Sequence, residues 1–464
     1  SQGIECRNCR FVSNRTATGA RGEYVDGQRQ SSVSKSRYLF RDCDFSGNGL
    51  TTGNTLLSSA VYGYGIGANN GRLYLDNCTF VSNGVPAEIS QYVGEKSYCP
   101  QGSALYASAT TLNAVRCKFI RNRGFTGRGH NNNIQGGACV YVTAGSSGVT
   151  KPVSIHGCEF TGNEDISTSY GIGSKLGGLT IDGGANSTNE VVNCTFAYNI
   201  SDGTAASAGL TISSGLTAVS NSVFYGNKLG TSGTVGADIH LSGGKLIAGH
   251  TLFTSPSSVT AATAENLVLG EGVIYGDPQF VTSTEEFNSS LATTGRLHFD
   301  VEKYAETLAF DVHLKTPSGY RKNGTDEWFT DALIASPAID AGDPASGFSN
   351  EPVPNGGRIN LGCYGNTAEA SKTPPEASFE IAEIPVQFFD GVNACTPIPT
   401  LVDKTTGEAL DAGDFEFSYI NNNAYGTATI TVTGREGTVN AGLKVSATFK
   451  IAACFRVTAL SLET

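Results

Sequence analysis

The feature of this 464-residue sequence that most constrains its fold is an internal repeat. Each copy reads apolar, any residue, apolar, two residues, Cys, any residue, Phe, two residues, Asn, and the copies run along more than half of the chain. Self-similarity at a period of about 20–50 residues is typical of solenoids. Full copies contain Cys9, Cys43, Cys78, Cys117 and Cys158, a degraded copy contains Cys194, and two later copies carry Ser222 and Thr251 instead.

The apolar residues of each copy predict two short strands. They alternate, skip two residues and alternate again, which describes two strands that meet at a bend and bury one face. A third strand is predicted between copies, where a small residue precedes apolar alternation, as in Gly178-Leu179-Thr180-Ile181. Equivalent residues would then stack on neighbouring coils at about 4.8 Å. The sequence therefore predicts an all-β fold, a right-handed parallel β-helix.

Stacking of the copies predicts three internal columns. Phe and Cys point inward, with Cys acting as a small apolar residue. Asn closes each strand pair because it tolerates the left-handed conformation and bonds its own backbone in a turn. We therefore interpret these residues as structural rather than catalytic or metal-binding. The predicted columns are Cys9, Cys43, Cys78, Cys117, Cys158 and Cys194; Phe11, Phe45, Phe80, Phe119, Phe160 and Phe196; and Asn14, Asn48, Asn83, Asn122, Asn163 and Asn199.

Two motifs in these copies support a family resemblance. F-x-x-N occurs as Phe80-Val81-Ser82-Asn83 and Phe119-Ile120-Arg121-Asn122, and G-G-A/L occurs as Gly136-Gly137-Ala138 and Gly177-Gly178-Leu179. The pairing resembles the repeats of bacterial polymorphic outer-membrane proteins. That resemblance implies a β-helix that is secreted or displayed at the bacterial cell surface, often as an adhesin.

A later stretch resembles the closing segment of many exported bacterial β-helix proteins. It includes Gly276-Asp277-Pro278-Gln279-Phe280 and Ser336-Pro337-Ala338-Ile339-Asp340. Together the two resemblances cover residues 1–375. The second one implies the fold and its last coils and does not name a function.

The repeat stops at Ser371-Lys372-Thr373-Pro374-Pro375, which reads as a linker. The residues that follow alternate apolar and polar between turn signals, as a small sandwich does, and they resemble bacterial Ig-like repeats. We therefore predict a β-helix at residues 1–375 and an Ig-like β-sandwich at residues 376–464. Cys395 and Cys454 lie at the two ends of the second domain, and either a disulfide or a free pair fits the sequence.

Composition excludes some partners. A net charge of -11 argues against a nucleic-acid partner, because phosphate binding needs clustered Lys and Arg. No stretch approaches the roughly 20 apolar residues of a transmembrane helix. The sequence begins inside a copy of the repeat, so we expect further protein before Ser1 and an export signal that has been removed. It also contains no Met, and Met residues missing from it would shift some of the spacings by one.

Motifs for catalysis or metal binding are few. The six His residues are scattered, and the Cys6-x-x-Cys9 pair falls on the core face of its copy. β-Helix enzymes use paired carboxylates, or Ca²⁺ with a basic residue, and the sequence lacks the corresponding motifs. Asp340 and Asp343 read as turn residues. We predict no catalytic or metal residue and no cofactor, with Ca²⁺ as the open alternative.

Long insertions are the better functional signal, because insertions in repeat folds collect on one face and often form the binding surface. The longest lie at residues 84–103 and 123–135. Their aromatic, amide and Arg groups could bind sugars or an anionic glycan by stacking and bidentate hydrogen bonds. The predicted binding residues are Tyr92, Tyr98, Arg123, Arg128, His130, Asn131, Asn132 and Asn133.

These observations favour a non-enzymatic, adhesin-like protein. Its predicted partners are glycans or surface proteins of a host or a neighbouring cell. One alternative is a polysaccharide lyase or glycoside hydrolase whose site is assembled from several coils. A second alternative is a passive structural stalk.

Overall fold

A computed structural model gives the fold of the chain. It describes residues 3–12, 15–16, 37–50, 61–64, 71–83, 103–128, 134–135, 139–144, 150–167, 177–201, 207–230, 233, 236–290 and 310–453. Within them, strands dominate, and the one α-helix has seven residues. No described helix is long and apolar enough to cross a membrane.

The first thirty-two strands build the solenoid. In chain order they begin with β1 Gly3–Arg7, β2 Arg10–Val12, β3 Arg15–Thr16, β4 Arg37–Arg41, β5 Asp44–Ser46, β6 Gly49–Leu50, β7 Val61–Tyr64, β8 Gly71–Asp76, β9 Thr79–Val81, β10 Leu105–Ser108 and β11 Thr110–Val115. They continue with β12 Lys118–Ile120, β13 Arg123–Arg128, β14 Ile134–Gln135, β15 Val140–Thr143, β16 Val153–His156, β17 Glu159–Thr161, β18 Glu164–Ser167, β19 Leu179–Asp182, β20 Thr188–Val192, β21 Thr195–Ala197 and β22 Ile200–Ser201. They end with β23 Leu210–Ser214, β24 Leu216–Ser220, β25 Val223–Tyr225, β26 Lys228–Leu229, β27 Ile239–Leu241, β28 Lys245–Gly249, β29 Leu252–Phe253, β30 Val259–Ala261, β31 Leu267–Leu269 and β32 Ile274–Tyr275.

These strands form three long parallel sheets along the stack. Sheet A has the order β1-β4-β8-β11-β16-β20-β24-β28-β31, and sheet B has the order β2-β5-β9-β12-β17-β21-β25-β29-β32. Sheet C has the order β7-β10-β15-β19-β23-β27-β30. Consecutive strands of one sheet come from consecutive coils, which is the arrangement of a parallel β-helix. The predicted all-β fold class is confirmed.

The Phe column runs through the centre of the stack. From Phe11 to Phe224, rings on neighbouring coils stack with centroids 4.5–4.8 Å apart and planes within 13° of parallel. The last pair, Phe224 and Phe253, is looser at 5.4 Å and 31°. Each stacked pair contributes about 0.5–1.5 kcal/mol beyond the burial of its surface.

The Asn column joins neighbouring coils by hydrogen bonds. At Asn163, Nδ2 donates to the Phe119 carbonyl oxygen and to Asn199 Oδ1, both at 2.9 Å. In return, Asn163 Oδ1 accepts from the backbone N–H of Asn122 at 2.9 Å and from Asn122 Nδ2 at 3.1 Å. The same pattern recurs at the other described Asn residues of the column, and Asn14 lies outside the described residues. Each amide is therefore fully used between coils.

The expected turn geometry of these Asn residues is wrong. The left-handed residue is the one immediately before each Asn, including Ser82, Arg121 and Tyr198 with φ of 53°, 51° and 59°. The Asn side chains bond neighbouring coils and not their own backbone. The preceding residue makes the turn, which leaves the Asn amide free to point along the stack.

The Cys column is buried and chemically quiet. Each thiol donates to the carbonyl two residues earlier, as Cys194 does to Val192 at 3.2 Å. Ser222 and Thr251, which replace Cys in the last copies, donate to Ser220 and Gly249 in the same way, both at 2.8 Å. Burial raises the pKa of Cys117 and Cys158, so these thiols stay protonated and act as packing groups. The repeat degrades in sequence while the hydrogen bond is kept.

Past the last coil the chain turns back along the stack instead of adding further coils. It contains α1 Thr284–Ser290 and the hairpin β33 Tyr320–Lys322 with β34 Thr325–Phe329. We call residues 310–375 the strap. Its apolar residues form a second core with outward residues of sheet B, which are joined there by Phe280 and Phe287. The members of this second core are Ala197, Tyr198, Ile200, Val223, Leu252, Phe280, Phe287, Phe310, Val312, Leu314, Ala338, Ile339, Leu361 and Cys363.

Backbone hydrogen bonds fix the course of the strap across successive coils. The Gly362 N–H donates to the Asn221 carbonyl oxygen at 2.8 Å, and the Cys363 N–H donates to Thr195 Oγ1 at 3.0 Å. One residue further, the Tyr364 hydroxyl accepts from Lys118 Nζ at 3.2 Å. The strap therefore runs from later coils toward earlier ones and covers the outer face of sheet B there.

The C-terminal residues have a separate apolar core. Its strands are β35 Phe379–Glu383, β36 Gln387–Phe389, β37 Thr400–Asp403, β38 Phe415–Ile420, β39 Gly426–Gly434 and β40 Lys444–Ala453. β35 pairs with β37, and a second sheet has the order β36-β40-β39-β38. Phe379, Leu401, Phe415 and Ile430 are buried between them. This arrangement fits an Ig-like sandwich. Cys395 is a buried free thiol, and Cys454 lies outside the described residues.

A buried carboxylate ends the Asn column. Asp238 Oδ1 accepts from Asn227 Nδ2 at 2.8 Å, where the next Asn of the column would otherwise be. Asp238 Oδ2 accepts from Ser258 Oγ at 2.6 Å and from the backbone N–H of Thr254 at 2.8 Å. Burial raises the pKa of Asp238 to about 6, although these donors favour the charged form. The column thus ends on a group that titrates in the mildly acidic range.

We expect Asn163→Ala to lower the free energy of unfolding by roughly 3–5 kcal/mol, because it leaves several buried groups of Asn122, Phe119 and Asn199 without partners. Urea unfolding followed by circular dichroism measures the change. Asn113→Ala, on the outer face of sheet A, is the matched control and should cost less than about 0.5 kcal/mol. Equal effects of the two substitutions would contradict an energetic role for the column.

Asp238 should make stability depend on pH. Because its pKa is higher in the folded chain than the ordinary value of 3.8, its contribution is intact below pH 3.8 and is lost as the pH rises through about 6. Relative to Asp238→Asn, the wild type should lose about 3 kcal/mol between pH 4 and pH 7. Urea titrations across that range give the difference, with Glu380→Gln as an exposed control. A constant difference between wild type and Asp238→Asn would refute the assignment.

Candidate functional site

The outer face of sheet A is where side chains are presented in register. Strands alternate, so that Tyr38 and Phe40 of β4 are buried while Arg37 is exposed, and β8 repeats the pattern with Arg72 exposed. β28, near the other end of the sheet, also has exposed side chains, among them Lys245 and Ile247. Sheet B carries the strap on its outer face. Sheet A is therefore the better candidate for contact with a partner.

Two arginines stack on this face. Arg37 and Arg72 are register partners in β4 and β8, which places their Cα atoms on adjacent coils at about 4.8 Å. Neither side chain forms a hydrogen bond or salt bridge with a residue that the structure describes. The Arg37 guanidinium carbon lies 5.4 Å from the centroid of the Tyr74 ring. Two like charges are thus held side by side next to an aromatic ring.

The other arginines nearby have carboxylate partners. Arg41 Nε lies 3.0 Å from Asp76 Oδ2, and Arg116 pairs with the second oxygen of the same carboxylate. Arg10 Nε lies 3.3 Å from Asp44 Oδ2. Their charges are partly balanced within the chain, whereas the stacked pair on the adjacent column keeps its donors available for an outside acceptor.

Overall acidity concealed this face from sequence reasoning. Residues 1–130 contain 15 Lys and Arg against 8 Asp and Glu, although the whole chain carries a net charge of -11. The remaining residues are therefore strongly acidic. A comparison of charge between the two halves would have signalled a basic region, and the strand register then selects the two arginines that stack.

The predicted binding residues are largely outside the described residues, namely Tyr92, Tyr98, His130, Asn131, Asn132 and Asn133. Arg128 is the last residue of β13. Arg123 is buried, and its Nη2 lies 2.8 Å from Glu164 Oε2, with both side chains 3 % exposed. The charge of Arg123 is therefore balanced inside the fold, and a binding role for the two insertions stays a prediction.

Acid–base side chains meet where the strap crosses sheet B. His313 Nδ1 lies 2.7 Å from Asp311 Oδ1, and His313 Nε2 lies 3.4 Å from Glu369 Oε2. Its ring stacks on Tyr364 with centroids 3.7 Å apart. Burial lowers the pKa of His313, but the two carboxylates outweigh burial and hold that pKa above its usual range. The imidazolium thus links two carboxylates of the strap.

Sheet B supplies the other half of this network. Lys118 Nζ lies 3.7 Å from Glu159 Oε2 and donates to the Tyr364 hydroxyl at 3.2 Å. Glu159 and His313 have side chains only 1 % exposed. Chemically, the set resembles a general acid–base site. Its central groups are closed off from solvent, so the arrangement serves as a polar clamp between strap and solenoid.

Asp340 and Asp343 have structural contacts within and around the strap. Asp343 Oδ1 accepts from the backbone N–H of Ala345 at 2.9 Å, as a turn residue does. Asp340 Oδ1 instead accepts from Thr373 Oγ1 at 3.2 Å. Across the described residues, no group of three or more His, Cys, Asp or Glu side chains is arranged to hold a metal ion.

Comparison with known proteins found no relative of this chain. No family model, no curated protein and no solved structure matches it. The resemblances to polymorphic outer-membrane repeats and to bacterial Ig-like domains stay predictions from sequence. The function has to be argued from the residues themselves.

Like charges in register should cost stability. We expect Arg72→Gln to raise the free energy of unfolding by about 0.2–1 kcal/mol at low salt, because it removes the repulsion with Arg37. The gain should shrink in about 0.5 M salt, where charges are screened over a few ångströms. Urea unfolding at both salt concentrations checks this, with Lys245→Gln as the control. A loss of stability at low salt would mean that Arg72 stabilises the fold.

Proposed function

We propose that this chain is a non-enzymatic binding protein, secreted or displayed at a cell surface, that engages anionic glycans through the outer face of sheet A. The observation that carries the proposal is the in-register stack of Arg37 and Arg72 beside Tyr74. The adhesin-like repeats in the sequence are consistent with it.

The chemistry of the face fits carboxylate or sulfate groups on a sugar chain. Each guanidinium offers a planar fork that binds such groups bidentately. Tyr74 supplies an aromatic surface against which a sugar ring can pack. An anion bridging the two forks would also relieve the repulsion between them. A flat, parallel sheet surface suits an extended polymer better than a small enclosed ligand.

The test is binding of the purified chain to a panel of acidic and neutral polysaccharides. We expect binding to acidic members that weakens as salt increases. Arg37→Gln with Arg72→Gln should reduce affinity at least 10-fold, since charge-assisted hydrogen bonds contribute roughly 1.5–3 kcal/mol each. Lys245→Gln, on the same sheet but several coils away, should bind as the wild type does.

The same samples should be assayed for new reducing ends and for unsaturated products. Binding without product supports the proposal. Product release would overturn the non-enzymatic part and favour a lyase or hydrolase. Absence of binding to every polysaccharide, or binding that the double variant retains, would reject sheet A as the binding face and favour a protein partner or a passive stalk.

A further inference from the structure

The only Trp of the chain lies in a cationic cluster on the strap. Trp328 belongs to β34, and the guanidinium carbon of Arg321, on the paired strand β33, lies 4.2 Å from the centroid of its ring. Lys372 Nζ lies 4.2 Å from the same ring. Beside them, Lys322 Nζ lies 4.3 Å from the ring centroid of Phe329. Three cations are thus positioned by two aromatic rings.

The backbone holds this cluster in place. β33 and β34 form an antiparallel hairpin in which Tyr320 pairs with Phe329. The Lys372 N–H donates to the Gly319 carbonyl oxygen at 2.9 Å, which fixes the end of the strap against the start of the hairpin. The rings and the three cationic side chains therefore come from segments that are bonded to each other.

The cations have no acceptor within the described parts of the chain. Arg321, Lys322 and Lys372 form no hydrogen bond or salt bridge there, and Arg321 Nη1 is closed off from solvent and still unpaired. Glu369 is the carboxylate on which Arg321 acts electrostatically, and it is oriented by His313. Ring faces position a cation without neutralising it. What the cluster lacks is an anionic acceptor.

We propose that Arg321, Lys372 and Trp328 form an anion-binding site for a carboxylate, sulfate or phosphate group. The Arg321 fork would bind two oxygens of the anion, and Lys372 would add a point charge from a neighbouring segment. The site uses residues of the strap and none of sheet A. It therefore stands or falls independently of the glycan-binding face.

The position of the Trp provides the measurement. The full chain is titrated at constant ionic strength with sodium sulfate, inorganic phosphate or galacturonate, and Trp emission is recorded. We expect a saturable change for at least one of them and none for chloride, and the three probes identify which anionic group is preferred. Trp328→Phe removes the signal, and calorimetry of that variant checks that binding itself persists.

Two variants and two controls complete the test. Arg321→Gln and Lys372→Gln should each weaken binding at least 10-fold, and Arg321→Lys, which keeps the charge and loses the fork, should weaken it less. Lys404→Gln, exposed in the sandwich, and the Arg37→Gln, Arg72→Gln double variant should bind as the wild type does. Emission that follows only ionic strength, or wild-type binding by both single variants with a native circular dichroism spectrum, would overturn the proposal.

Discussion

The rest of the structure depends on hydrogen bonds that run along the stack through the Asn column. Each amide bonds the coil before it and the coil after it, so a coil displaced by one residue would leave buried donors and acceptors without partners. This constraint fixes the register of sheets A and B. Once the register is fixed, like residues lie on like residues, and the Phe rings stack at 4.5–4.8 Å as a consequence.

The same register has opposite effects inside and outside. Inside, identical apolar rings and thiols gain from being aligned. On the outer face of sheet A it aligns Arg37 with Arg72, where repulsion is expected. The fold therefore provides a reason for the inner columns but none for the outer pair. A side-chain arrangement that opposes stability is better explained by a ligand than by folding.

Sequence reasoning recovered what one coil determines and missed what two distant segments determine. Phe, Cys and Asn recur in one short pattern, so Phe160 or Asn163 could be placed from sequence alone. The course of the strap could not, because the contact between Lys118 and Tyr364 joins residues 246 positions apart. The left-handed turn residues were misplaced by one position, since Ser82, Arg121 and Tyr198 are not residues that usually mark such turns. The stacked arginines needed the register as well as the sequence.

The strap explains why the two faces of the solenoid differ in use. It covers sheet B with an apolar core, and it joins that core to a clamp in which His313 and Lys118 balance carboxylates. Charges in the clamp are paired inside the fold, so they hold segments together and have little left for a partner. Arg321 and Lys372 on the strap, and Arg37 and Arg72 on sheet A, are placed by rings and register without such partners. Unbalanced cations on an otherwise acidic chain are the groups through which this molecule can recognise an anion.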